Sequence, residues 1–385
     1  MRKLLISIGI LVVVLIVAGV VKREELTRLM AVQTLFDEDR IVENFSNMDA
    51  LFHKSQMSRG EGPVSPLPKG DPIALPEGVE AWMETRHTTA MVVLSDGEIV
   101  YETYRQGTGE SDRRISWSVA KSFLSTLMGI VIEEGDIASL DDPVTKYAPD
   151  LVGSAYDGAT IRDVAHMASG VVFDEDYMDF WSDINRMGRV LALGGSLDDF
   201  TADLTETRAE PGADWLYVSM DTHVLGMVIR GATGRRIPDL MEEKILQPLG
   251  LEADPHYLTD SEGNAFVLGG LNLTTRDYAR FGQMILQGGT WQGSQIVSQE
   301  WIDLATTPSA PTDPGDSKYG LQWWVPADNR PGEVFAIGVY GQYIWIDRNR
   351  DVVIAVNSAD RRFTEDGVWT DNINKLRAIT EAAAR

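Results

Sequence analysis

The β-rich stretches of this chain lie at its two ends, and the long interval between them carries helical periodicity. Near the start, "TAMVVLS" (Thr89–Ser95) and "EIVYETY" (Glu98–Tyr104) are joined by Asp96-Gly97, a dipeptide suited to a two-residue hairpin turn. Near the end, "EVFAIGVYGQYIWID" and "DVVIAVNS" read as strands separated by the turn "RNR". Between them, helices are expected from Ser118 to Glu134, and in "TIRDVAHMAS", "MDTHVLGMVIRGAT", "MEEKILQPLG" and "TTRDYARFGQMILQ", several with cap residues in place. A further helix closes the alanine-rich tail. This order predicts an α+β fold: an antiparallel sheet built from both chain ends, flanked by helices, with a mostly helical insertion over residues 136–304. Neither a G-x-G-x-x-G nor a P-loop is present, so a doubly wound nucleotide fold is disfavoured.

At 385 residues the chain can bury a sizeable core, and 44% apolar with 24% charged residues is ordinary globular composition. The formal net charge of −24 argues against a nucleic-acid partner, whose phosphates would be repelled. With no cysteine, disulfides and thiolate catalysis are excluded. The five histidines are scattered without an H-E-x-x-H, so no metal is expected, and no cofactor is called for.

The run Leu4–Val21 holds eighteen residues without a charge. As a helix it would extend about 27 Å, close to the thickness of a bilayer core. Residues 1–21 are therefore expected to be a transmembrane anchor, with a cleaved signal peptide as the alternative. Either reading puts the bulk of the protein in the cell envelope, anchored at the inner membrane or secreted. Residues 22–78 read as a juxtamembrane helix and a Pro/Gly-rich linker, and residues 79–385 as the main domain.

Chemistry is suggested first by "SWSVAKSF", residues 116–123. A lysine at i+3 shares a helix face with Ser118, so its amine can approach the hydroxyl, and apolar neighbours would favour the neutral amine that a base requires. Ser-x-x-Lys alone is a weak signal. Ser116 or Ser118 as an N-cap, with Lys121 a solvated helix residue, reads equally well. In "EPGADWLYVSMDTH", Tyr217 could relay a proton beside a lysine, or simply pack at the core rim. In "IGVYGQY", Gly341 within a β pattern could allow close approach of a substrate, with the Gln342 N–H as an oxyanion donor, or could mark a bulge.

These elements, in this order, resemble the β-lactamase-related serine hydrolases: class C β-lactamases, D,D-peptidases, esterases and 6-aminohexanoate-dimer hydrolases. The likeness spans roughly residues 40–380 and is also carried by "ENFSNMDALF", "DDPVTKYAPDL", "LNLTTRDYARFGQMIL" and "YGLQWW". It implies Ser118 as nucleophile, Lys121 and Tyr217 as the general-base pair, and Ser219 orienting them. It also implies the N–H groups of Ser118 and Gln342 as oxyanion hole, beside Gly341. Where β-lactamases carry Lys-Thr-Gly, this chain has Val339-Tyr340-Gly341, so a cation for a substrate carboxylate is missing there. The loop "DEDYMD" (174–179) is similar to the segment overhanging the site in the oligomer-amide hydrolases, which would make Tyr177 a substrate contact. A solvated acidic loop is the alternative. The expected function is hydrolysis of a small ester or amide through an acyl-enzyme. The alternatives are a β-lactamase or D,D-peptidase, or a penicillin-binding sensor without turnover.

Overall fold

The computed structural model describes residue 7 and residues 22–384, apart from 314 and 316. Strands β1 (Thr88–Ser95), β2 (Glu98–Tyr104), β3 (Lys318–Tyr319), β4 (Trp324–Val325), β5 (Glu333–Gly338), β6 (Gln342–Asp347) and β7 (Val352–Ser358) form one sheet in the order β2-β1-β7-β6-β5-β4-β3. Every neighbouring pair is antiparallel. The sheet joins both chain ends, as the sequence order predicts, because β7 pairs along the whole length of β1. The first hairpin turns at Asp96 (φ 51°) and Gly97 (φ 78°), the two left-handed residues its tight turn requires.

The main helices are α1 (Arg23–Gln33), α2 (Ala120–Glu133), α3 (Asp183–Leu193), α4 (Ser219–Thr233), α5 (Thr275–Leu286) and α6 (Val368–Ala383). Local chemistry sets their ends. The Thr274 side chain accepts from the Asp277 N–H to start α5, and left-handed Gly234 ends α4. Alternate residues of the sheet face opposite layers. Val92, Leu94, Ile344 and Val353 join the main core with Phe281 of α5, while Met91, Val93, Ile354 and Trp345 pack with Leu376 and Ile379 of α6. Burial on both faces makes β1 apolar almost throughout.

Three expectations need adjustment. The stretch from Glu333 to Asp347 is a hairpin rather than one strand, turning through Val339, Tyr340 (φ 61°) and Gly341 (φ 84°). Residues 35–57 are not merely an approach to the domain. Leu35, Ile41, Phe45, Met48 and Met57 are buried in its main core, and Lys54–Gln56 pairs with His256–Leu258. The membrane anchor is withdrawn: among the described residues no helix is long and apolar enough to cross a membrane, and the run from Leu4 to Val21 lies, Ser7 aside, outside them.

Candidate active site

Ser118 sits in a short 3-10 turn, Trp117–Val119, that leads directly into α2. Trp117 is held at φ 43°, a conformation that costs a bulky residue free energy and persists only where its surroundings fix it. Its ring is gripped by Phe45, Phe36 and Tyr340, with centroids 5.5, 5.9 and 6.0 Å away. Neither Ser116 nor Ser118 caps the helix with its side chain. The Ser116 hydroxyl donates instead to the Trp117 and Gly269 carbonyls, and Ser118 stays half-buried with access to open space. The capping alternative is therefore gone.

Lys121 is 2% exposed, which also removes its reading as a solvated helix residue. Its Nζ donates to the Leu268 carbonyl at 3.1 Å and reaches Ser219 Oγ at 3.2 Å. Burial lowers its pKa to about 7, against a smaller opposing pull from Glu175 and Asp221. A neutral amine has two hydrogens and one lone pair, and two oxygens already stand within reach of the hydrogens. The lone pair is then free to accept a proton.

Tyr217 lies just before α4, its ring centroid 5.4 Å from Lys121 Nζ and its hydroxyl within hydrogen-bonding reach of Ser118. Desolvation, then the Glu175 carboxylate, hold its phenol well above the usual pKa, so it stays protonated at neutral pH. The geometry thus brings Ser118, Lys121, Tyr217 and Ser219 together from the starts of two helices.

Two carboxylates escaped the sequence reading. Glu175, in the acidic loop, accepts from the Ser219 backbone N–H and from the Tyr177 hydroxyl (2.8 Å), and its pKa is raised mainly by burial. Its neighbours Asp174, Asp176 and Asp179 instead accept from loop backbone N–H groups. Asp221, fully buried, accepts from Tyr156 at 3.0 Å and Ser169 at 2.8 Å through one oxygen, while its other oxygen has no hydrogen-bond partner among the described residues. Burial pushes its pKa up to about 8, so at neutral pH it is mostly protonated. In the sequence nothing separates Glu175 from the surrounding acidic residues, and Asp221 reads as an ordinary first-turn acid.

The sequence model of the Beta-lactamase family matches residues 79–376. The chain belongs to that family. A 6-aminohexanoate-dimer hydrolase of Paenarthrobacter ureafaciens is 33% identical over 328 residues, covering 80% of this chain and 83% of that one. Esterase EstB of Burkholderia gladioli is 27% identical over 201 residues, covering 45% of this chain and 48% of its own. A Bacillus anthracis structure described as a candidate 6-aminohexanoate-dimer hydrolase superposes with a TM-score of 0.81 at 23% identity, covering 90% of this chain and 95% of that one. The family membership makes the protein a hydrolase of β-lactamase fold.

Among the elements the family likeness pointed to, the third is placed differently from the other two. Gln342 is buried in register with Gly338, and its side chain donates to the Ser358 carbonyl at 2.8 Å and accepts from Asn357 at 3.1 Å. The strand end that meets the Ser118 turn is Gly338, where an added Cβ would lie 2.5 Å from the Ser116 carbonyl oxygen and 3.0 Å from the Ser118 nitrogen. Gly341 is the glycine of the hairpin turn, and Tyr340 stacks on Phe36 at 4.7 Å. Ser118 opens on two cavities, of about 110 and about 270 Å³. Tyr177 and Val339 border both, and among the described residues lining them none is charged. Arg276 pairs with Glu102 and Arg348 with Asp303, and neither they nor Lys318 line either cavity.

Proposed function

We propose that the protein is a serine hydrolase of neutral small esters or amides, acting through a Ser118 acyl-enzyme. The observation that carries this reading is the buried Lys121 amine, with its pKa lowered to about 7, beside Tyr217 and Ser118. Ser118 Oγ forms the bond to the carbonyl carbon as its proton passes toward Tyr217 and Lys121. The Ser118 N–H, in the turn ahead of α2, and the backbone at Gly338–Val339, which packs against that turn, would supply the donors for the developing oxyanion. When the C–O or C–N bond breaks, the proton goes from Tyr217 to the departing alcohol or amine. Water, deprotonated by the same pair, then attacks the acyl carbon and releases the acid and a free Ser118.

The 6-aminohexanoate-dimer hydrolase and the esterase among the relatives support amide and ester substrates. The uncharged lining of both cavities favours neutral substrates over penicillins, whose carboxylate would find no cation there. Steady turnover of a p-nitrophenyl ester is expected, with kcat/KM at least tenfold above that for nitrocefin, about 1.4 kcal/mol of transition-state binding. A single stoichiometric burst without turnover would favour a sensor. Nitrocefin as the better substrate by the same factor would favour a β-lactamase.

A further inference from the structure

The two cavities beside Ser118 differ in what they could hold. The smaller is walled by Leu35, Phe36, Phe52, Ile184, Met187 and Phe266. Three of its polar side chains already have partners, and the buried Trp117 Nε1–H is a donor without one among the described residues. Ser219 Oγ meets Lys121, the Tyr177 hydroxyl donates to Glu175, and the Asn185 side-chain N–H groups bond to the Tyr177 and Asp179 carbonyls at 3.1 and 2.7 Å. Such a space suits hydrocarbon, because a polar or charged ligand would be desolvated without compensation. The larger cavity is aromatic, with Trp324, Trp369 and Phe363, and carries Asn372 and Tyr343. Tyr217 lines only the larger one.

That asymmetry assigns the two sides. Tyr217 must touch the departing atom to return its proton, so the leaving group belongs in the aromatic cavity. The acyl chain then falls on the other side of Ser118, in the apolar one. Resting on the serine-hydrolase reading above, we propose that this enzyme selects substrates with a short, neutral, aliphatic acyl chain seated in the smaller cavity. Part of that cavity's wall, including Leu35, Phe36 and Phe52, lies before the segment that matches the family, so the N-terminal region of this chain contributes to the specificity. On the scale at which a cavity of ~150 Å³ holds benzene, the space takes roughly four carbons.

The test is kcat/KM for p-nitrophenyl acetate, butyrate, pentanoate and octanoate. Each methylene buried should raise it about fourfold, the equivalent of ~0.8 kcal/mol, so butyrate should exceed acetate about fifteenfold and the rise should stop near pentanoate. Met187→Trp, which fills the cavity, should erase the butyrate-to-acetate ratio. Phe36→Ala, at a half-buried ring, should move the limit to longer chains. Trp369→Ala should change the dependence on the alcohol and leave that ratio alone. A flat acyl series with normal turnover overturns the inference, as does a ratio that follows Trp369→Ala and ignores both other variants. If no ester turns over and Ser118 takes no acyl label, the serine-hydrolase reading falls instead.

Discussion

Replacing Lys121 by methionine should lower kcat/KM for an ester by between about 10² and 10⁴, the range for loss of a positioned general base. The side chain is buried and of similar length, so the fold should tolerate methionine better than a charge without a partner. Lys121→Arg should not rescue activity, because a guanidinium does not lose its proton near neutral pH. The pH profile separates this role from a structural one. The active form is the neutral amine, and the folded pKa of about 7 lies below the ordinary lysine value of 10.5. Activity in the native enzyme should therefore rise as pH increases through about 7. Asp221, with its pKa near 8, titrates in the same window, so the apparent value belongs to the buried cluster. In Lys121→Met the rising limb should vanish. A variant that keeps both rate and limb would mean that another group takes the proton.

Gly338→Ala should cost activity far beyond its cost in stability. The new Cβ would stand 2.5 Å from the Ser116 carbonyl oxygen and 3.0 Å from both the Ser118 nitrogen and the Trp117 Cβ. Backbone on both sides must part, and a displacement of about 1 Å at a catalytic turn can cost on the order of 10²-fold in rate. The overpacking itself should destabilise by about 1–3 kcal/mol, read by urea unfolding. Gly62→Ala is the control, since nothing lies within 4 Å of its added Cβ. Full activity in Gly338→Ala would show that the strand end does not fix the nucleophile.

Much of this molecule is written locally. The Asp96-Gly97 turn, the Thr274 cap and the Gly234 stop work within a few residues, so the joining of both chain ends in one antiparallel sheet and helices α2, α4 and α5 were readable from pattern. The serine, lysine and tyrosine were readable for the same reason, through short motifs. What was missed depends on distant partners. Tyr340 reverses the chain inside an apolar run, where Phe36 and Phe363 hold its ring. That reversal puts Gly338 against the turn that holds Ser118 and leaves Gly341 in the hairpin turn. Phe36, at the end of the stretch read as juxtamembrane, and Phe45, in "ENFSNMDALF", carry no local sign that they support Trp117 beside Ser118. Glu175 gained its role only because Ser219 and Tyr177 converge on it.

The central claim is that Ser118 carries the acyl group, and intact-mass spectrometry after a fluorophosphonate probe tests it most directly. The account predicts one adduct per chain, mapped to Ser118 by peptide sequencing, formed more slowly in Lys121→Met and absent from Ser118→Ala. Undiminished labelling of Ser118→Ala would contradict it.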